Sequence, residues 1–150
     1  MNTRVWLGFA AAGLWTFGAF GAETHVKMEN LPAAVQATVR EQSRGAAVRG
    51  LSKEVENGKT YYEAELKVNG HNKDVLIDPA GKVVEVEERV PLASLPAPVK
   101  AAFEKRAASG KIEGVESVTK GGKIVAYEAK IRTSGEVSEL KLSPGGAPME

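Results

Sequence analysis

The chain has 150 residues, 43% of them apolar and 26% charged, no cysteine and a formal net charge of +1. That balance is ordinary for a globular protein, and it excludes thiol chemistry and disulfide stapling. Near neutrality leaves no electrostatic footprint for nucleic acid or anionic lipid.

The chain opens with "MNTR", a basic start, and then "VWLGFAAAGLWTFGAF" (Val5–Phe20), an apolar run followed by the small residues and first acid of "GAET". This is the pattern of a secretory signal peptide over residues 1–21. Cleavage after Gly21 places small residues at both selective positions; cleavage after Ala22 or retention as an anchor are the alternatives. The run falls short of the ~20 residues that span a bilayer. Export to a bacterial periplasm or beyond is therefore expected.

Two stretches of the remainder resemble each other. "LPAAVQA" (Leu31–Ala37) matches "LPAPVKA" (Leu95–Ala101) at five of seven positions. Further on, Tyr62-Glu63-Ala64 recurs as Tyr127-Glu128-Ala129, and "DPAG" (Asp78–Gly81) as "SPGG" (Ser143–Gly146). Such self-similarity in constant order reads as a tandem duplication, with one repeat over residues 22–90 and another over 91–150.

Each repeat is expected to begin with a helix. Leu31, Ala34, Val35, Thr38 and Val39 share one helical face, as do Leu95, Val99, Ala102 and Phe103. Asn30 and Ser94 are placed to cap the free N–H groups, and Pro32 and Pro96 suit a first turn.

Strands come next. Tyr62, Ala64, Leu66 and Val68 alternate with Tyr61, Glu63, Glu65 and Lys67, the period of a half-buried strand. Tyr127, Ala129 and Ile131 alternate likewise with Glu128, Lys130 and Arg132. Asn57-Gly58, Asn69-Gly70, Gly121-Gly122 and Ser134-Gly135 are pairs that accept the positive φ of tight hairpins. Val75 and Ile77, and Leu140 and Leu142, lie in the following strands, and "KVVEVEERV" supplies a fourth strand to the first repeat. The expected fold class is α+β: two tandem repeats of one helix plus a four-stranded antiparallel meander, helices packed on one sheet face. The last strand of the second repeat is short or absent, which leaves Glu136–Ser143 as an edge able to accept a partner strand.

"LPAAVQATV", "YYEAEL" and "VNGHNKDVLIDPAGKVVEV", with their second-copy counterparts, resemble the PepSY-like, β-lactamase-inhibitor-like exported domains over Lys27 to Gly146. The resemblance implies repeats of a helix and four strands, and an exported, non-enzymatic protein that binds or inhibits others. Inhibitors of this architecture use the exposed sheet face and loops, and contain disulfides. This chain lacks cysteine and a recognisable inhibitory loop, which departs from that pattern. PepSY domains also occur in propeptides of secreted peptidases, so a peptidase partner is implied as well.

Chemistry-bearing constellations are sparse. His25 and His71 are the only histidines and form no zinc motif. Glu85, Glu87 and Glu88, and Glu63 with Glu65, are expected to be solvated on outward strand faces. Asp78 offers one acid where a calcium loop needs several oxygens. No phosphate loop or nucleophile elbow is present. Neither catalysis nor a cofactor or metal is expected. The candidate partner-binding surface is the outward strand face of Tyr61, Glu63, Glu65, Lys67, Glu128, Lys130 and Arg132, where an aromatic sits among alternating charges. A protein partner is the expected ligand; a ligand-free structural envelope protein and a small-molecule or metal sensor are the alternatives.

Overall fold

A computed structural model describes residues 23–149 of the protein; the expected signal peptide lies outside the described residues. In chain order the elements are β1 (Thr24–His25), a 3-10 turn (Met28–Asn30), α1 (Ala33–Gln42), β2 (Ala46–Glu56), β3 (Lys59–Val68), β4 (His71–Ile77) and β5 (Val83–Arg89). A second 3-10 turn (Leu92–Ser94), α2 (Ala97–Ala107), β6 (Lys111–Lys120), β7 (Lys123–Thr133) and β8 (Glu136–Leu142) follow.

The strands form one eight-stranded antiparallel sheet in the order β1 to β8. This overturns the expectation of two tandem repeats, each a helix plus a four-stranded meander. β5 does not end a sheet: Val86, Glu87, Glu88 and Arg89 pair with Thr119, Val118, Ser117 and Glu116 of β6. Edge N–H and C=O groups left on β5 and β6 would each need another partner, and pairing the two strands satisfies both. At one end β1 adds two residues beside β2. At the other, β8 is the terminal strand, as the expected edge at Glu136–Ser143 anticipated. Its end is held by a bridge from Leu142 to Pro148 and by Met149 N–H donating to Lys141 O at 2.9 Å.

Two-residue hairpins close four of the strand pairs, and each uses positive φ at both positions. They are Asn57-Gly58 (49° and 76°), Asn69-Gly70 (47° and 88°), Gly121-Gly122 (57° and 75°) and Ser134-Gly135 (52° and 88°). Those angles match the right-handed twist of the flanking strands. The β4–β5 turn differs: Asp78 Oδ1 accepts from the N–H groups of Ala80 (3.0 Å) and Lys82 (2.9 Å). Gly81 there passes so near α1 that a Cβ would lie 2.7 Å from Ala34 O, and Thr38 Oγ1 lies 2.5 Å from Gly81 O.

The helix caps lie two residues later than expected. Pro32 and Pro96 occupy the cap positions, with no side chain capping either helix. Asn30 belongs to the preceding 3-10 turn, and Ser94 Oγ donates to Pro91 O at 2.7 Å. A residue before proline is barred from the helical region, which displaces the cap to the proline itself.

Both helices lie on the same sheet face. Val35 and Val39 of α1 pack on Ala64, Leu66, Val75 and Ile77, with Tyr62 at the margin. Val99, Phe103 and Ala107 of α2 pack on Val115, Tyr127, Ala129, Ile131 and Leu142. Phe103 is the largest fully buried side chain among the described residues.

Candidate functional site: an acidic sheet face

Alternation along each strand puts a second set of side chains on the face opposite the helices, and the register fixes their neighbours. Across β2 to β5, Ser52, Glu63, Leu76 and Glu85 stand in one row. Gly50, Glu65, Asp74, Glu87 and then Val118 of β6 stand in the next. Arg89, Glu116, Glu128 and Lys141 form a third across β5 to β8. Asp74, Glu87, Glu116 and Glu128 therefore come from four consecutive strands and crowd the middle of the helix-free face.

These acids are shielded. Glu116 is 3% exposed, Glu85 5%, Glu87 7% and Glu128 8%, while Val118 and Ala126 beside them are fully buried. The expectation that Glu85 and Glu87 sit solvated on an outward face is therefore wrong. Helix-free does not mean exposed in the middle of an eight-stranded sheet, where each side chain has neighbours on both flanking strands.

Burial disfavours the charged carboxylate, and like charges add to that. Burial first, then Glu128, Glu85 and Glu116, pushes Glu87 up to about 9, with Lys141 opposing. Burial and Asp74 raise Glu116 to about 8 against the pull of Arg89 and Lys130, with Glu128 adding. Asp74 rises to about 6 through burial and Glu65. Glu63 rises to about 9 through burial and a hydrogen bond with Glu54.

Basic groups answer some of the acids. Lys120 Nζ pairs with Glu85 and Lys141 Nζ with Glu128. Arg89 is the cross-strand neighbour of Glu116, yet its Nη2 donates to Glu113 O at 2.5 Å. Its guanidinium lies over Gly114, where a Cβ would collide with it at 1.8 Å. Glu87 Oε1 and Glu116 Oε2 are buried with no hydrogen-bond partner.

The seven sequence-predicted residues all fall on this face, but in two groups. Tyr61, Glu63, Glu65 and Lys67 are on β3, and Glu128, Lys130 and Arg132 on β7, four strands apart. That is on the order of 19 Å along a sheet. The structure does not bring the two groups into contact. Lys67 Nζ donates to Asn72 Oδ1 at 2.9 Å, and Arg132 Nε to Glu113 Oε1 at 2.6 Å. The Arg132 hydrogen bond holds Glu113 below the usual carboxylate range.

Between the two groups lie the residues that sequence reasoning missed: Asp74, Glu85, Glu87 and Glu116. The missing signal was the β5–β6 pairing, which places Glu87 beside the strand of Glu116. At the sheet edge, Glu23, Glu54 and Glu63 hold carboxylate oxygens within 4.8 Å of one another, the only such group of three or more among the described residues. Hard cations take six to eight oxygen ligands, of which this trio offers part. His25 and His71 do not converge there: His71 Nε2 meets Glu88 Oε1 at 2.8 Å on the helix side.

No protein-family model and no curated protein matches the sequence. Solved structures do. A DUF2874 family protein from Bacteroides ovatus is 23% identical, with 81% of this chain and 86% of that one covered and a TM-score of 0.60. A Bacteroides eggerthii protein, provisionally described as periplasmic, is 20% identical over 80% and 86%, at 0.65. A BLIP-like protein from Bacteroides fragilis is 19% identical over 80% and 84%, at 0.58. These likenesses establish the fold. Of the two resemblances in the motifs, the neighbours carry the BLIP-like one and not PepSY. No helix among the described residues is long and apolar enough to cross a membrane.

Proposed function

We propose that this chain is an exported, non-catalytic module of the bacterial envelope that binds a protein partner through the helix-free face of its sheet. The observation that carries this reading is the crowd of buried carboxyls on that face, two of which have an oxygen without a partner. Burying such groups costs folding free energy, and a face kept for scaffolding alone would be cheaper with small apolar or paired side chains. The predicted residues Tyr61, Glu63, Glu65, Lys67, Glu128, Lys130 and Arg132 flank this centre and form the rest of the surface. The signal-peptide pattern and the periplasmic description of the B. eggerthii neighbour support the location. The BLIP-like description of the B. fragilis neighbour supports an inhibitory or regulatory role, for which a secreted peptidase is one target class.

A photo-crosslinking residue at Lys67 or Lys130, on the proposed face, tests this in intact cells. Arg40 of α1 and Lys105 of α2, both exposed on the helix side, serve as references. The face positions are expected to give adducts with one and the same protein, and the helix positions none. Adducts from the helix side only, or equally from both sides, overturn the assignment.

A further inference from the structure

The partner-binding reading leaves open what chemistry the acidic centre recognises, and the inference here rests on that reading. We infer that Glu87 and Glu116, flanked by Asp74 and Glu128, receive one guanidinium side chain of the partner.

Three observations lead there. The first is the pair of orphaned oxygens. Glu87 Oε1 and Glu116 Oε2 belong to side chains more than nine-tenths buried and have no donor. A buried acceptor without a donor is costly, so the site is complete only when something supplies N–H groups. Second, three of the neighbouring cations of this chain are committed, and the fourth, Lys130 of β7, acts on Glu116 without being hydrogen-bonded to it. Lys120 is bonded to Glu85, Lys141 to Glu128, and Arg89 to Glu113 O above Gly114. Third, the centre has the wrong spacing for a metal. A hard cation needs oxygens converging at 2.3–2.6 Å, and among the described residues only Glu23, Glu54 and Glu63 bring three within 4.8 Å of one another.

Glu87 and Glu116 project from adjacent strands at diagonal positions, which on a sheet lie about 7–8 Å apart. A guanidinium is planar and offers five donors on separate edges, so one group can serve two carboxylates on different strands. An ammonium is a compact point charge and serves such a pair less well. Both carboxyls hold their protons at neutral pH in the free protein, because burial and neighbouring acids raise them to about 9 and about 8. Ion pairing reverses that preference. Each carboxyl that ionises on docking passes one proton to the buffer, and the affinity then rises with pH.

The test uses the mature chain with ¹³C-labelled glutamate and three blocked peptides, Ala-Arg-Ala, Ala-Lys-Ala and Ala-Ala-Ala, with calcium chloride as a fourth titrant. The arginine peptide is expected to move the Glu87 and Glu116 carboxyl resonances saturably toward the ionised position. Its affinity should rise between pH 6 and pH 8, by up to about tenfold per pH decade for each proton released. The lysine peptide should bind several-fold more weakly. E87Q/E116Q should no longer bind the arginine peptide by isothermal titration calorimetry while keeping its dispersed spectrum. No saturable shift at these two carboxyls, an affinity independent of pH, or a response to calcium in place of the arginine peptide each overturns the inference. The in-cell crosslinks separate the two readings. If E87Q/E116Q keeps its adducts from Lys67 and Lys130 undiminished, the face binds its partner without this subsite. If the wild-type chain gives none from those positions, the parent reading fails.

Discussion

Glu116→Gln should make the protein more stable, by an amount that depends on pH. Glu116 is 3% exposed and faces Asp74 of β4, Arg89 of β5, and Glu128 and Lys130 of β7. In the folded chain its carboxyl holds its proton up to about 8, against 4.5 as the ordinary value. Between those pH values the folded state binds a proton that the unfolded chain has lost, so stability falls as pH rises. At about 1.4 kcal/mol per pH decade, the full cost approaches about 5 kcal/mol at pH 8. Hydration of the ionised group and movement of Arg89 toward it relieve part of this, leaving a gain of roughly 2–5 kcal/mol for the amide at pH 8. At pH 5 both side chains are neutral in the folded state, and the two proteins should agree within about 1 kcal/mol. Urea unfolding followed by far-ultraviolet circular dichroism at pH 5, 6, 7 and 8 measures the difference directly. A variant no more stable than the parent at pH 8, or a gain that is constant across the series, would refute the buried-acid account. Combining Glu116→Gln with Glu87→Gln should give less than the sum of the single gains, because Glu116 is one of the acids that raise Glu87.

Other positions test the fold around this face. Gly81→Ala meets both a φ of +86° and the Ala34 carbonyl at 2.7 Å, so a loss of about 2–4 kcal/mol is expected, against about 1 kcal/mol for Gly58→Ala, whose φ is +76° in open space; equal losses would mean that α1 does not press on the β4–β5 turn. Phe103→Ala should cost about 3–5 kcal/mol and Val35→Ala roughly 2 kcal/mol, and both should lower one shared urea transition, since β5 and β6 are hydrogen-bonded. A Phe103→Ala curve that splits into two transitions would show that the halves of the sheet unfold independently. Gly114→Ala forces Arg89 off its seat; the freed guanidinium lies next to Glu116, so the carboxyl should titrate at lower pH by nuclear magnetic resonance, and an unchanged titration would place Arg89 out of reach.

Local pattern carried much of this structure, and its limits are physical. Strict alternation assigned Tyr62 and Tyr127 to the packed face and Glu63 and Glu128 to the opposite one, where the structure has them. Hairpin pairs such as Asn69-Gly70 were legible because only a few residue types accept positive φ at both positions. Helix starts were misplaced by Asn30 and Ser94, since a proline in the next turn outweighs a good capping side chain. Pairing between β5 and β6 leaves no local trace, because α2 and its flanking turns separate the two strands along the chain. That single pairing decides whether there are two sheets or one, and whether Glu87 and Glu116 ever meet. Alternation says which face a glutamate occupies; it does not say how many other acids the neighbouring strands will place around it. The run of Glu85, Glu87 and Glu88 therefore read as a solvated strand until the register was known. A sequence that agrees with its fold in turns, helix faces and strand period, but leaves buried polar atoms unsatisfied at one spot, concentrates its inconsistency where binding is the simplest explanation. On that argument the glutamates of the central strands, more than the repeated tyrosines, are where this protein's function is to be sought.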